Sequence, residues 1–479
     1  MHIADLSIFI LYMISMLAVG YYFMGKNKND EDYYLGGRQM TKYHIGLSVV
    51  ATDVGGGFSI GLGGLGFMMG VSGSWMLFTG LLGAWISAVI LVPKVAKLGR
   101  KHKFFTLPQL FNYLFDAKVA LAAGIISLIG YLGFTSSQIL AGAKLASATF
   151  PALSFSTALV VMGLIAVVYT VLGGLKAVIY TDTIQWAFLM FGLIFIGLPM
   201  AYLHVGGIEV ISEVLPPQYF SLTNVSGINL LNWAVTIIPI WFVGMTLYQR
   251  IYASKSPEEA KKAWFIAGLL EWPIMAFLGV LLGLLAKVAS LQNLLPDLAI
   301  NGTIDPEMGL PVLLRTILPP GLMGIMMAAY FSAILSTADS CLMAASGNFT
   351  TDILGKFASK LKINKIRLSQ IVTLLLGIVA LFIAFFATNV LSLMLYSYAF
   401  MVSGLLVPLV AGLFFKVNHP TAALISMIFG GSTTVILSLI YSKLPFGLDA
   451  NVFGLTISAL VFLAISYKSF FNNNQHKIA

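Results

Sequence analysis

Apolar runs of helical length recur along this chain, separated by short polar stretches that carry most of its charge. They fall near 5–24, 44–69, 73–98, 119–143, 154–173, 176–202, 229–249, 262–288, 319–348, 367–388, 391–415, 419–442 and 450–468. About 20 apolar residues span the hydrocarbon core of a bilayer, so the pattern predicts thirteen transmembrane helices. The first run has no basic stretch ahead of it and is followed by Lys26 and Lys28, so it reads as a retained span and not as a cleaved signal. The longest connections on the outer side, 203–228 and 289–318, hold Pro216-Pro217 and lead into Pro319-Pro320, with room for short surface helices. The tail after Lys468 is polar and short, too small for a sensor kinase or regulatory domain.

Composition narrows the class. Of 479 residues, 59% are hydrophobic and 9% charged, against about 25% charged in a soluble protein. Such a chain cannot tile a water-exposed shell, which excludes a soluble enzyme, a disordered chain and a secreted disulfide scaffold. Cys341 is the one cysteine, so no disulfide within the chain is possible; it reads as a small apolar helix residue. The formal charge of +9 is a matter of sidedness. With the N-terminus outside, all but four of the 27 Lys and Arg fall on the cytoplasmic side, among them Arg250 in the loop that runs on to Lys262. The outer four are Lys144, Lys287, Arg315 and Lys443. The expectation is a multi-pass protein of the cytoplasmic (inner) membrane with its C-terminus inside. The basic excess then needs no nucleic acid, and no protein partner is evident.

Four acidic residues, Asp53, Asp182, Glu271 and Asp339, fall inside predicted spans. A carboxylate at mid-bilayer costs at least about 2.5–3.5 kcal/mol, so such residues usually face a cavity or an ion path. Asp182 also reads as a residue at a span boundary, and Glu271, before Trp272-Pro273, as part of a kinked helix. Asp53 adjoins Val54 and Gly55-Gly56-Gly57. Three glycines each weaken a helix by about 1 kcal/mol relative to alanine, so this span should unwind there. Unwound backbone at membrane depth belongs beside a cavity, where its carbonyls can hold a cation. Gly61, Gly63, Gly64 and Gly66 read instead as a close-packing face. In the ninth run, Ser336, Asp339 and Ser340 share a helical face with Thr337 beside them. Hydroxyls, carbonyls and carboxylates suit a hard cation. No His/Cys pattern suggests zinc and no nucleophile–base set suggests hydrolysis, so an enzyme is not expected. His44, His102, His204 and His419 lie at span ends or in loops.

At these residues the chain resembles the sodium:solute symporter family of proline, sugar, sialic acid, pantothenate and choline carriers. The likeness covers nearly the whole length. It runs through Tyr34-Leu35-Gly36-Gly37-Arg38, Ala51-Thr52-Asp53 with its glycines, and Thr106-Leu107-Pro108. It continues through Gly173-Gly174-Leu175-Lys176-Ala177-Val178 with Thr181-Asp182 and Gln185, Gln249-Arg250, Ser336-Thr337, and Pro408 to Phe414. The resemblance implies an all-α, leucine-transporter-like core of two inverted five-helix repeats, 44–202 and 229–415, whose first helices are broken. An extra helix and loop (1–43) would precede it, an outer loop (203–228) would join the halves, and two helices with a short tail (416–479) would follow. The second break is expected near Trp241-Phe242-Val243-Gly244-Met245.

By the same resemblance, Na⁺ would bind the carbonyls of Ala51, Val54 and Ala333 and the hydroxyls of Ser336 and Thr337. A second sodium or coupling site would lie near Asp182, Asp339 and Ser340, with Ser336 adjoining. The solute would meet Asp53, Gly57, Phe58, Trp75, Thr79, Gln138, Trp241, Met245 and Tyr248. This lining is aromatic and poor in hydrogen-bonding groups, which disfavours a sugar. Proline carriers have an aromatic residue where Gly57 stands. The choline branch has tryptophan at the positions of Asp53 and Gly244, although Asp53 offers a countercharge. The expected activity is uptake of a small amino acid or amine-bearing solute driven by inward sodium movement. Proton coupling through Asp53, Asp182 or Asp339 and a non-transporting membrane sensor remain the alternatives.

Overall fold

The computed structural model describes residues 2–24, 30–53, 55–150, 152–295, 299–300, 303–355, 365–441 and 443–475. Apart from two-residue strands β1 (Ala299–Ile300) and β2 (Thr303–Ile304), paired antiparallel, the regular structure of these residues is helical. Nine helices among the described residues are long and apolar enough to cross a membrane, or ten if one bent pair is a single span. That is fewer than thirteen for local reasons. The apolar stretches Ile3–Val19 and Phe155–Val171 are short, and the 44–69 run is interrupted where its glycines predict.

The chain begins with α1 (Ile3–Met24) and α2 (Asp30–Leu35). The first interrupted span is α3 (Lys42–Asp53) followed by α4 (Gly56–Met69). Then come α5 (Trp75–Ile90), α6 (Val92–His102), α7 (Leu107–Leu114) and α8 (Ala117–Thr149). Their boundaries follow local capping. Thr106 accepts from the Gln109 N–H at the start of α7, and Asp116 Oδ1 accepts from Lys118 and Val119 N–H, both at 2.9 Å, at the start of α8.

Helical backbone continues from Phe155 to Gly192 as α9. Tyr169 and Thr181 hydroxyls nevertheless lie 3.1 Å apart, whereas twelve residues of straight helix span about 18 Å. The chain therefore folds back between them, as the separate 154–173 and 176–202 runs require. After α10 (Leu198–His204), the 203–228 connection contains α11 (Gly207–Val214). The second interrupted span is α12 (Gly227–Val243) and α13 (Met245–Ala253), bent by 41° with Gly244 between them. Tyr131 on α8 accepts the Thr246 N–H at 3.1 Å, satisfying a donor that the break leaves unpaired.

Next, α14 (Pro257–Leu270) passes through a π-helical turn, Glu271–Ala276, into α15 (Phe277–Leu291). Pro273 has no N–H to give to that turn, which accounts for the altered winding. The 289–318 connection contains α16 (Pro306–Ile317). The chain then runs through α17 (Leu322–Gly347), α18 (Lys365–Ala384), α19 (Val390–Leu413), α20 (Pro420–Ile440) and α21 (Ala450–Gln475). Nearly all of α17 is buried, so it forms the centre of the bundle. The glycine face of α4 meets α15 closely. A Cβ on Gly66 would stand 2.1 Å from the Val280 carbonyl oxygen, in keeping with the packing role read for that stripe.

Both ends of the bundle are tied. At the end rich in basic residues, Met40 N–H donates to Ala253 O (3.1 Å) and Lys255 N–H to Met40 O (2.8 Å). Arg100 donates there to the carbonyls of Ser254 and Lys255, and the Lys42 N–H to Glu259 Oε2 at 2.7 Å. At the opposite end Lys144 was expected in a connecting loop. It lies instead within α8, 1% exposed, with Nζ 2.6 Å from both Asp305 and Glu307. Glu307 also accepts from Val390 and Leu391 N–H, capping α19. This reach across α16 to α8 explains why the sequence alone did not place Lys144. Removing one member of a buried pair costs roughly 3–5 kcal/mol because the other charge is stranded. Lys144→Met is therefore expected to lower the thermal unfolding midpoint of the detergent-solubilised protein strongly; an unchanged midpoint would refute the triad's structural role.

Candidate functional site

The breaks in the two interrupted spans bring α3, α4 and α13 against the buried α17. Thr337 Oγ1 donates to the Ala51 carbonyl (3.0 Å) and lies 3.2 Å from that of Ala333. Three of the five oxygens expected around sodium, two carbonyls and one hydroxyl, thus converge at the end of α3. Val54 lies outside the described residues. Ser336 is one residue away on α17, its hydroxyl donating to Asp182 Oδ1. The contact is tight: a Cβ on Gly55 would sit 1.5 Å from Thr337 Oγ1.

Beside this cluster lies a network the sequence did not foretell. Arg250, expected in a cytoplasmic loop, is fully buried on α13. Its Nε donates to Ser48 Oγ (3.0 Å) and its Nη1 to the Thr246 carbonyl (3.2 Å). Nη2 reaches Thr52 Oγ1 (2.5 Å), Ser340 Oγ (2.8 Å) and Asp182 Oδ2 (3.4 Å). Ser48 also donates to Asp182 Oδ2 at 2.5 Å. Asp182 is fully buried and paired with Arg250, at the start of the apolar span Thr181–His204. Asp182 and Ser340 therefore meet around a guanidinium, a fixed charge on the protein. Asp339 stands apart: Oδ1 accepts from Thr170 (2.5 Å), and Oδ2 has no hydrogen-bond partner among the described residues. Cys341 is buried among them.

The residues expected around the solute divide into groups. Asp53, at the last position of α3, accepts from the Tyr398 hydroxyl of α19 at 3.0 Å. Glu271 is buried on the π-helical turn of the α14–α15 span, near enough to Asp53 for the two charges to interact, and both its carboxyl oxygens lack a hydrogen-bond partner among the described residues. Thr79 is buried beside Gly80, where a Cβ would stand 1.9 Å from Glu271 Oε1. Trp75 is farther out, its indole N–H on the Leu222 carbonyl (2.8 Å) and its ring near Phe78 and Trp272. Gln138 is buried on α8, four residues from Phe134, which packs edge-on against Tyr398 with centroids 5.0 Å apart. Trp241 packs against Trp264 and the α5 glycine Gly83. Met245 Sδ faces the Leu107 N–H, and the Tyr248 hydroxyl donates to Phe242 O, so neither side-chain bond involves the carboxyl pair. The backbones of Gly57 and Phe58 lie in α4; their side chains lie outside the described residues.

A sequence profile of the Sodium:solute symporter family matches residues 33–430. The chain belongs to the sodium:solute symporter family. Among curated relatives, the sodium/proline symporter of Salmonella typhimurium is 30% identical over 408 residues, 82% of this chain and 79% of that protein. The sodium/glucose cotransporter of Vibrio parahaemolyticus is 28% identical, covering 99% of this chain and 92% of its own. Among solved structures, a Na⁺-coupled sialic acid symporter in a substrate-bound outward-open state superposes with a TM-score of 0.79 at 22% identity, across 97% of both chains. That likeness establishes the leucine-transporter-like fold of this symporter.

Membership makes the chain a polytopic membrane transporter that couples sodium to solute uptake. The oxygens gathered by Ala51, Ala333 and Thr337 are of the kind that replaces a hard cation's water. Arg250, Glu271 and Tyr398 are the symporter residues that sequence reasoning left without a functional place. Arg250 had one usable signal: a charge inside the apolar run Leu247-Tyr248-Gln249-Arg250-Ile251-Tyr252.

Proposed function

We propose that this symporter takes up a small organic solute, an amino acid or amine-bearing compound, with inward-moving Na⁺ by alternating access. The observation that carries this reading is the convergence of Ala51 O, Ala333 O and Thr337 Oγ1 at the break between α3 and α4. Sodium would bind Ala51, Val54, Ala333, Ser336 and Thr337, joining the first interrupted span to α17. Holding these elements together would complete the adjoining solute pocket, so each ligand would raise the other's affinity by the same factor. Asp182, Asp339 and Ser340 would form the second coupling site, with Arg250 as its fixed charge.

The repeats would comprise 44–202 and 229–415, with 1–43 and 416–479 outside the core and 203–228 between the halves. The N-terminus would lie outside and the C-terminus in the cytoplasm of a cell whose inner membrane holds the protein. The contacts of Met40, Lys42 and Arg100 with 253–259 would then close the cytoplasmic side, and the Lys144 triad would brace the outer one.

The test is accumulation of labelled amino acids, amines, monocarboxylates and sugars in proteoliposomes under an imposed sodium gradient. Sodium-driven accumulation supports the reading; accumulation driven fully by a pH gradient in sodium-free vesicles overturns it, as does binding without transport. In the same assay Ser336→Ala with Thr337→Ala is expected to raise the half-saturating sodium concentration at least about tenfold, a loss of 1.4 kcal/mol or more. Unchanged sodium dependence would remove these hydroxyls from the ion site.

A further inference from the structure

A groove of about 780 Å³ runs between α1, α9 and α17, within the range of small-molecule sites, about 300–1,000 Å³. Ile184 and Phe188 of α9 stand exposed at its mouth. They belong to the apolar span Thr181–His204, so the mouth opens on lipid and not on water. The floor is polar. Tyr12 donates to Ser332 Oγ at 2.5 Å, and Gln185 Nε2 donates to the Tyr12 hydroxyl at 3.1 Å. Tyr12, Ser332 and Gln185 all line the groove. Gln185 is only 5% exposed, and its Oε1 has no hydrogen-bond partner among the described residues.

An amide oxygen buried at membrane depth cannot draw on water, and leaving it unsatisfied is costly. The groove therefore asks its occupant for an O–H or N–H donor on an apolar body. No Lys, Arg, His, Asp or Glu lines it, so a charged headgroup would enter without a counter-ion. The molecules that reach its mouth are those dissolved in the bilayer. An uncharged lipid with a free hydroxyl meets each condition: apolar chains, a donor and no charge. A second groove of about 460 Å³ lies on another flank of α1, against α8 and the first part of α9, and its lining is apolar throughout. That groove offers such a lipid no acceptor side chain.

We propose that the groove between α1, α9 and α17 is a binding site for an uncharged membrane lipid bearing a free hydroxyl, with Gln185 Oε1 accepting its O–H. The place of the groove gives it leverage. Gln185 stands one turn from Asp182 on α9, and Ser332 one turn from Ser336 on α17. Ser336 donates to Asp182 across the same pair of helices. A lipid seated here braces the contact between α9 and α17 that holds those two side chains together. The site does not depend on which solute is transported.

The experiment uses the full chain in phosphatidylcholine nanodiscs and a diacylglycerol with a photoreactive acyl chain, the labelled residues being mapped by mass spectrometry. The expected result is labelling at 16–22 and 181–188 in preference to the 6–14 flank, displaced by unlabelled diacylglycerol. The methyl ether of the same lipid, which cannot donate, should compete at least about fivefold more weakly. Phosphatidylglycerol, whose head is charged, should also compete more weakly. Gln185→Leu removes the acceptor and should bring diacylglycerol down to the affinity of its ether. Should that variant fail to fold, Val19→Trp, which fills the groove from α1, should abolish the displaceable labelling. Equal competition by the ether or by phosphatidylglycerol, equal labelling of both flanks, or displaceable labelling untouched by these variants overturns the site.

Discussion

Asp182→Ala is expected to give a symporter that folds poorly and no longer couples uptake to sodium. The substitution removes the carboxylate that receives Ser48, Ser336 and Arg250, leaving a fully buried guanidinium with only neutral partners. Stranding a buried charge in this way costs roughly 3–5 kcal/mol, a large share of the 5–15 kcal/mol by which proteins are commonly stable. Arg250→Met should be equally damaging for the mirror-image reason. The double variant Asp182→Ala with Arg250→Met leaves neither charge behind and should recover much of the thermal midpoint lost in each single variant. Its sodium-driven uptake should stay low, because Ser336 and Thr52 lose the partners that orient them. Thermal unfolding of the three purified variants, with uptake measured on the same preparations, checks both halves. Additive losses in the double variant would mean that the two residues do not act as a pair.

The second large effect is expected at Gly55. Its φ of −57° and ψ of −173° are open to any residue, so a substitution there tests space and not backbone freedom. A Cβ would lie 1.5 Å from Thr337 Oγ1 and 2.7 Å from Thr337 Cβ. Either Thr337 turns its hydroxyl away from the Ala51 carbonyl, or the break moves off α17. Both outcomes dismantle the oxygen cluster. Overpacking of this kind costs about 1–3 kcal/mol, and if the cost falls on the ion site, sodium affinity drops roughly ten- to hundredfold. Gly55→Val should therefore reach the membrane yet require far more sodium for half-maximal uptake, measured in proteoliposomes across a sodium series. A sodium requirement equal to that of the parent would show that the cluster is not where sodium binds.

What the sequence makes legible here is what local chemistry determines. Apolar run length fixes the helices, and capping residues such as Thr106 and Asp116 mark where they start. The glycines after Asp53 announce the first break. Ser336 and Thr337 are visible because hydroxyls are conspicuous in an apolar span. The second break is fainter: its markers are a single Gly244 and a tyrosine, Tyr131, on a distant helix. The remainder depends on residues that are far apart in the chain. Arg250 and Lys144 look like loop charges until the carboxylates that bury them arrive from other helices. Glu271 beside Pro273 predicts a kink, but only folding shows that its carboxyl packs against Gly80 of α5. Among the described residues nine or ten helices are long and apolar enough to cross a membrane against the thirteen expected, because the glycines that build the site split one run and the stretches Ile3–Val19 and Phe155–Val171 are short.

The solitary, buried Cys341 has a practical consequence. Thiol-directed probes added from water should find almost no background on the native chain, so spectroscopic labels can be introduced without first removing natural cysteines. Gln39 and Lys255 are exposed neighbours of the backbone contacts joining Met40 to 253–255. A pair of spin labels at those two positions would turn the closing and opening of that end into a distance distribution, read directly as sodium and solute are added.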